Sequence, residues 1–155
     1  MKTVYMAMSA DLLTPNHIAI IQEARTLGQV TIGLLTDSAV AGFQRLPYMP
    51  YDQRKIVLEN IVGVHEVVPQ EALDYVQNLV KTRPDYVLHR HDRNTGALRE
   101  TRHSVIDTLV EWGVKLAQPG HSPGIPSAAL SRAVRGVGGP PHSRPGTAQP
   151  APGAQ

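Results

Sequence analysis

Cysteine is absent from all 155 residues. Disulfides, thiolate metal sites and cysteine nucleophiles are therefore excluded, and a reducing, cytoplasmic setting is the simple expectation. Long apolar runs are missing too. No stretch approaches the ~18 residues that a membrane span needs, so no membrane partner is expected. The start, Met1-Lys2-Thr3-Val4-Tyr5, does not read as a secretory leader. Charge of one sign is scarce: 15 Lys and Arg meet 13 Asp and Glu, a net charge of +2. The Arg and the seven His form no long basic run, which argues against nucleic acid as a partner and still allows a local phosphate pocket.

What is present fits one ordinary domain with a tail. The hydrophobic fraction of 41% is enough for a core. Residues 136–155 are half Gly or Pro and cannot bury enough apolar surface to offset their ordering entropy. The expected organisation is a folded domain over 1–135 and a disordered tail or interdomain linker over 136–155.

Along the domain, strands and helices alternate. Apolar runs predict strands at 4–8, 30–35, 64–68, 86–88 and 114–117. Helical spacing predicts helices over 16–27, 51–60, 70–81, 96–112 and 127–135, with Gly28 as the stop of the first. Strands joined by helical crossovers imply an α/β fold with a parallel sheet covered on both faces. Its ligand crevice then lies beyond the carboxyl ends of the strands.

The candidate residues fall at that edge. Ser9 and Ala10, after the first strand, are small enough for the backbone to approach a phosphate. The helix starting near Asn16 points its free N–H groups the same way. Thr14 offers a hydroxyl and His17 an imidazole. The plainer alternative is that Asn16 caps the helix and His17 is a surface residue. After the second strand, Arg45 and Arg54 are placed to reach a triphosphate, unless they are ordinary solvated charges. After the fourth, His89-Arg90-His91-Asp92-Arg93 pairs two His with an Asp. Zinc would need a further convergent ligand and none is evident, so no metal site is assigned. Recognition of a base or an acidic substrate suits the loop as well. Last, Gly124-Ile125-Pro126-Ser127 opens a second helix start able to bind phosphate, or Ser127 is simply its cap.

In order and spacing these segments resemble the HxGH nucleotidyltransferase superfamily, in its cytidylyltransferase branch. Thr14-Pro15-Asn16-His17 stands where that family has (H/T)xGH. Ile32-Gly33-Leu34-Leu35-Thr36-Asp37 matches its V-G-x-x-T-D strand end. Arg45, Arg54 and Val64-His65-Glu66-Val67 match the basic residue, the R-x-x-[ILV] helix and the V-x-E-V strand. His89-Arg90-His91-Asp92-Arg93 stands at the H-G-D-D-[WR] loop, and Gly124-Ile125-Pro126-Ser127 at G-I-S-[ST]. The resemblance spans residues 2–135. Asn16, Arg90, His91, Pro126 and Ala128 depart from the pattern.

Within the branch, Met6 to Ala24 with Asn94-Thr95-Gly96 and Arg99-Glu100-Thr101-Arg102 look like the domains that accompany phosphoenolpyruvate phosphomutase in fosfomycin-type phosphonate biosynthesis. The resemblance implies a Rossmann-like, doubly wound, five-stranded parallel sheet. It also implies CMP transfer from CTP to 2-hydroxyethylphosphonate, with Mg²⁺ carried on CTP, a homodimer, and a phosphomutase domain beyond the linker.

Under it, His17, Thr14, Arg45 and Ser127 are the expected catalytic residues. Ser9, Ala10, His89, Asp92, Ile125 and Ser127 would bind the nucleotide, and Arg90, Arg93 and Asp11 the acceptor. The competing expectations are 2-aminoethylphosphonate or a phosphate monoester as acceptor. A further one is a nucleotide-binding regulatory domain without turnover, given the atypical Thr14 and Asn16.

Overall fold

The computed structural model describes residues 1–88, 105–117 and 132–136. Strand β1 (Thr3–Met8) is followed by helix α1 (Pro15–Leu27), strand β2 (Gln29–Leu35) and a short helix α2 (Asp37–Ala41). Then come α3 (Tyr51–Glu59), β3 (Val64–Gln70), α4 (Val76–Thr82), β4 (Tyr86–Leu88) and β5 (Lys115–Ala117). Residues 105–112 and 132–136 are helical as well.

All four strand pairings are parallel, in the order β3-β2-β1-β4-β5. The expected five-stranded Rossmann-like sheet is therefore the observed one. Strand β1 explains its central place. Its side chains alternate between two cores, as the strand period of two requires. Val4, Met6 and Met8 pack with Ile20, Ile21 and Ala24 of α1 and Leu58 of α3. Tyr5 faces the other way, with Tyr75, Leu79, Val87, Val105 and Leu109. A strand buried on both faces reads as a continuous apolar run, which is how it was legible.

From β1 the chain winds outward to β2 and β3, then returns to place β4 on the other side of β1. The strand order thus reverses between β1 and β4. Such a switch point opens a crevice at the carboxyl ends of the two strands.

One expected helix begins late, and one short helix was missed. The helix expected over 70–81 begins only at Val76, because β3 continues to Gln70, where Leu35 pairs with it. Helix α2 went unrecognised; Thr36 caps it, accepting from the Ala39 N–H at 3.3 Å. Gly28 does end α1, but its backbone is extended and supplies no left-handed cap. Its requirement is space: a Cβ there would lie 2.3 Å from the Lys2 carbonyl oxygen. Of the helices expected over 96–112 and 127–135, the portions 96–104 and 127–131 lie outside the described residues.

Candidate active site

The loop from Ser9 to Thr14 leaves β1 at the switch point and feeds α1. Ala10 is buried with φ +50°, a left-handed conformation uncommon for a residue with a Cβ. Sharp turns of this kind concentrate at functional sites. Thr14, in extended backbone, is the N-cap of α1, and Pro15 takes the first helical position, where its missing N–H costs nothing.

His17 occupies the third helical position. It is 8% exposed, so the surface-residue alternative does not hold. The Thr14 N–H donates to its Nδ1 at 3.0 Å, and the Thr14 hydroxyl lies 3.0 Å from the same nitrogen. Nδ1 must therefore offer a lone pair, and the neutral ring carries its proton on Nε2. Asn16 is also buried, at the second helical position, two residues inside the cap rather than at it.

Asp11, Arg45 and Tyr48 form one cluster. The Tyr48 N–H donates to Asp11 Oδ1 at 2.6 Å. Arg45 approaches Asp11 Oδ2 at 2.7 Å, a charge contact and not an aligned hydrogen bond. The Arg45 guanidinium also lies 3.7 Å from the centre of the Tyr48 ring and donates to the Leu46 carbonyl. The segment between α2 and α3 is thus fastened across the mouth of the β1 loop. Arg45 and Asp11, expected separately as a catalytic residue and an acceptor-binding one, are here partners of each other. Tyr48 escaped notice because its contribution, a ring face and a backbone N–H, leaves no pattern in sequence.

Arg54 corrects a further expectation. Read as a group that could reach a triphosphate, it is instead wholly buried. It donates to the carbonyls of Ser9 (2.6 Å), Leu35 (2.8 Å) and Met49 (3.0 Å), and to Asp37 Oδ1 (2.6 Å). The ends of β1 and β2 and the starts of α2 and α3 are tied by this one side chain.

Ser9, Ala10, Asp11, Thr14, His17 and Arg45 accordingly share one edge of the sheet. His89, Arg90, Asp92, Arg93, Ile125 and Ser127 lie outside the described residues. Among the described residues no three His, Asp or Glu side chains gather to hold a metal ion, and no helix is long and apolar enough to cross a membrane.

Residues 9–117 match the model of the cytidylyltransferase-like family, a span that begins at Ser9 and takes in the whole described edge. The chain belongs to the cytidylyltransferase-like family. It is 31% identical over 93 residues to glycerol-3-phosphate cytidylyltransferase of Bacillus subtilis, covering 59% of this chain and 67% of that enzyme. It is 26% identical over 94 residues to FAD synthase of Ferroglobus placidus, covering 61% of this chain and 62% of that enzyme. The chain thus spans about three fifths of the length of that FAD synthase. In fold it is similar to the lipopolysaccharide core biosynthesis protein of Thermoplasma volcanium, with a TM-score of 0.68 at 17% identity, over 79% of this chain and 99% of that one.

Proposed function

We propose that this cytidylyltransferase-like chain transfers CMP from CTP to a small anionic acceptor and releases pyrophosphate, with 2-hydroxyethylphosphonate as the first-choice acceptor. The observation that carries the reading is His17: a buried imidazole at a helix start beside the switch point, with Nδ1 engaged by Thr14. An Nε2–H donor of that kind suits an anionic phosphate oxygen.

In the reaction an acceptor oxygen forms a bond to the α-phosphorus as the bond to the bridging β-oxygen breaks, and pyrophosphate departs with that electron pair. A phosphonate oxygen is already anionic at neutral pH, so no strong base is needed. Catalysis is then chiefly positioning and stabilisation of charge on the phosphate oxygens. His17 and Thr14 hold the α- and β-phosphates, helped by the backbone at Ser9 and Ala10. Arg45 and Ser127 hold the β/γ end, and Asp92 takes the cytosine amino group. Mg²⁺ carried on CTP would take most of its oxygen ligands from the triphosphate and would neutralise charge there.

A phosphate monoester is the second reading, favoured by the likeness to glycerol-3-phosphate cytidylyltransferases. The deciding experiment is pyrophosphate release from CTP, ATP, UTP and GTP, each with 2-hydroxyethylphosphonate, 2-aminoethylphosphonate, glycerol 3-phosphate and FMN. Release with CTP and the hydroxyl phosphonate alone supports the proposal. Release only with ATP and FMN, or with no pair, sinks it.

A further inference from the structure

We propose that Arg54 is a positioning residue for the nucleotide: it fixes the Ser9–Ala10 peptide so that the Ala10 N–H is presented to a phosphate. The inference rests on the reading of the β1–β4 edge as the triphosphate site, and it adds a residue that does not itself touch the ligand.

A guanidinium has five N–H donors in a rigid fork, and burying one is costly unless those donors are used. Arg54 is fully buried, and its partners are mostly not carboxylates. Three are main-chain carbonyls from three separate segments, and the fourth, Asp37, has a side chain 41% exposed. A side chain serving only as an ion-pair partner for Asp37 would not need to reach past it to Ser9 and Leu35. What this fork does is set the orientation of peptide planes at the ends of two adjacent strands.

The consequence follows from peptide geometry. In a planar trans unit the C=O and the next N–H point in opposite directions, and none of the described peptides is cis. At Leu35 both halves are visible: its carbonyl turns to Arg54, and the Thr36 N–H donates to the Gln70 carbonyl on β3 at 3.0 Å. At Ser9 the carbonyl likewise turns to Arg54, so the Ala10 N–H points away from the guanidinium. The left-handed φ of Ala10 bends the chain at the same place, next to the site formed by Thr14 and His17. A fixed N–H dipole in a buried loop, backed by a buried cation, is the sort of preorganised group that stabilises developing phosphate charge.

The test uses the whole chain labelled with ¹⁵N and titrated with CTP and Mg²⁺, alongside Arg54→Lys, which keeps the charge and loses the fork. In the wild-type protein the Ala10 amide resonance should move downfield as CTP saturates. In Arg54→Lys that shift should shrink and kcat/KM fall on the order of 10²-fold, the effect of losing one preorganised donor. An Ala10 amide that stays put in CTP-saturated wild-type protein overturns the proposal, whether or not the variant folds. So does an Arg54→Lys protein that melts at a lower temperature with kcat/KM unchanged. If calorimetry finds no CTP binding at all, the underlying reading fails and takes this one with it. Binding with a silent Ala10 amide overturns this one alone.

Discussion

The imidazole Nδ1 of His17 accepts the backbone N–H of Thr14 at 3.0 Å, so the residue proposed to grip phosphate also closes the start of its own helix. One ring nitrogen closes the helix start, and the proposed mechanism draws on the other. Substitutions at 17 therefore divide into two measurable effects.

His17→Ala removes both. Turnover should drop roughly 10²-fold or more, and the lost cap should lower stability by about 1 kcal/mol. His17→Asn can still accept from Thr14 through its side-chain oxygen, so its melting temperature should recover while turnover does not. Pyrophosphate release and thermal melts on the two variants check this. Undiminished turnover in His17→Ala would remove His17 from the mechanism.

The Asp11–Arg45–Tyr48 cluster makes a different prediction. Arg45→Gln should reduce kcat/KM for CTP by on the order of 10- to 100-fold through loss of one charged phosphate contact. Asp11→Ala removes the acceptor of the Tyr48 N–H and the charge partner of Arg45, so limited proteolysis should cut the segment between α2 and α3 faster than in the parent. Asp11→Asn keeps an acceptor for the Tyr48 N–H and should protect most of that segment. Equal cleavage of all three proteins would mean that Asp11 does not anchor it.

Gly33 and Tyr5 test the sheet beneath the site. A Cβ at 33 would fall 1.8 Å from the Tyr5 hydroxyl and 2.6 Å from Gln70 Oε1. Gly33→Ala should cost ~1–3 kcal/mol or more by overpacking, read as a lower denaturant midpoint. Tyr5→Phe strips the buried Gln70 and the half-buried Asn78 of their shared hydroxyl partner, which bonds them at 2.6 and 2.9 Å. Its expected cost is also ~1–3 kcal/mol.

Alkaline pH should unfold the domain through two tyrosines. Burial raises the hydroxyl pKa of Tyr5, a shift that the Asn78 hydrogen bond only partly offsets. Burial raises Tyr75 too, with Tyr5 and Asp74 adding to it. Because both folded-state values lie above the unfolded one, the native state holds protons that the unfolded chain releases. Stability is thus fully present below about pH 10 and is lost as pH rises beyond it, by up to about 1.4 kcal/mol per pH unit for each tyrosine. Urea midpoints measured from pH 8 to 11 should fall more gently in Tyr5→Phe than in the parent. Parallel curves would contradict the assignment.

Much of this molecule was written locally. The runs at Val4–Met8 and Val30–Leu35 read as strands because a strand buried on both faces is almost continuously apolar. Thr14-Pro15-Asn16-His17 read as a helix start at the ligand edge because caps and first-turn residues obey short-range rules. Helix α2 was also signalled, by Thr36 ahead of Asp37, but five residues carry too little period to be seen.

What only the tertiary structure decided are relations between residues far apart in the chain. Placing β1 between β2 and β4 is a matter of sheet order, to which neither strand's composition speaks. Arg54 read as a triphosphate contact or a solvated charge until the carbonyls of Ser9, Leu35 and Met49 surrounded it. Asp11 and Arg45 looked like two independent ligands until the fold set one against the other. Hydrogen-bond partners and charge pairs are chosen by proximity in space, and a linear pattern records only which groups are available to be chosen.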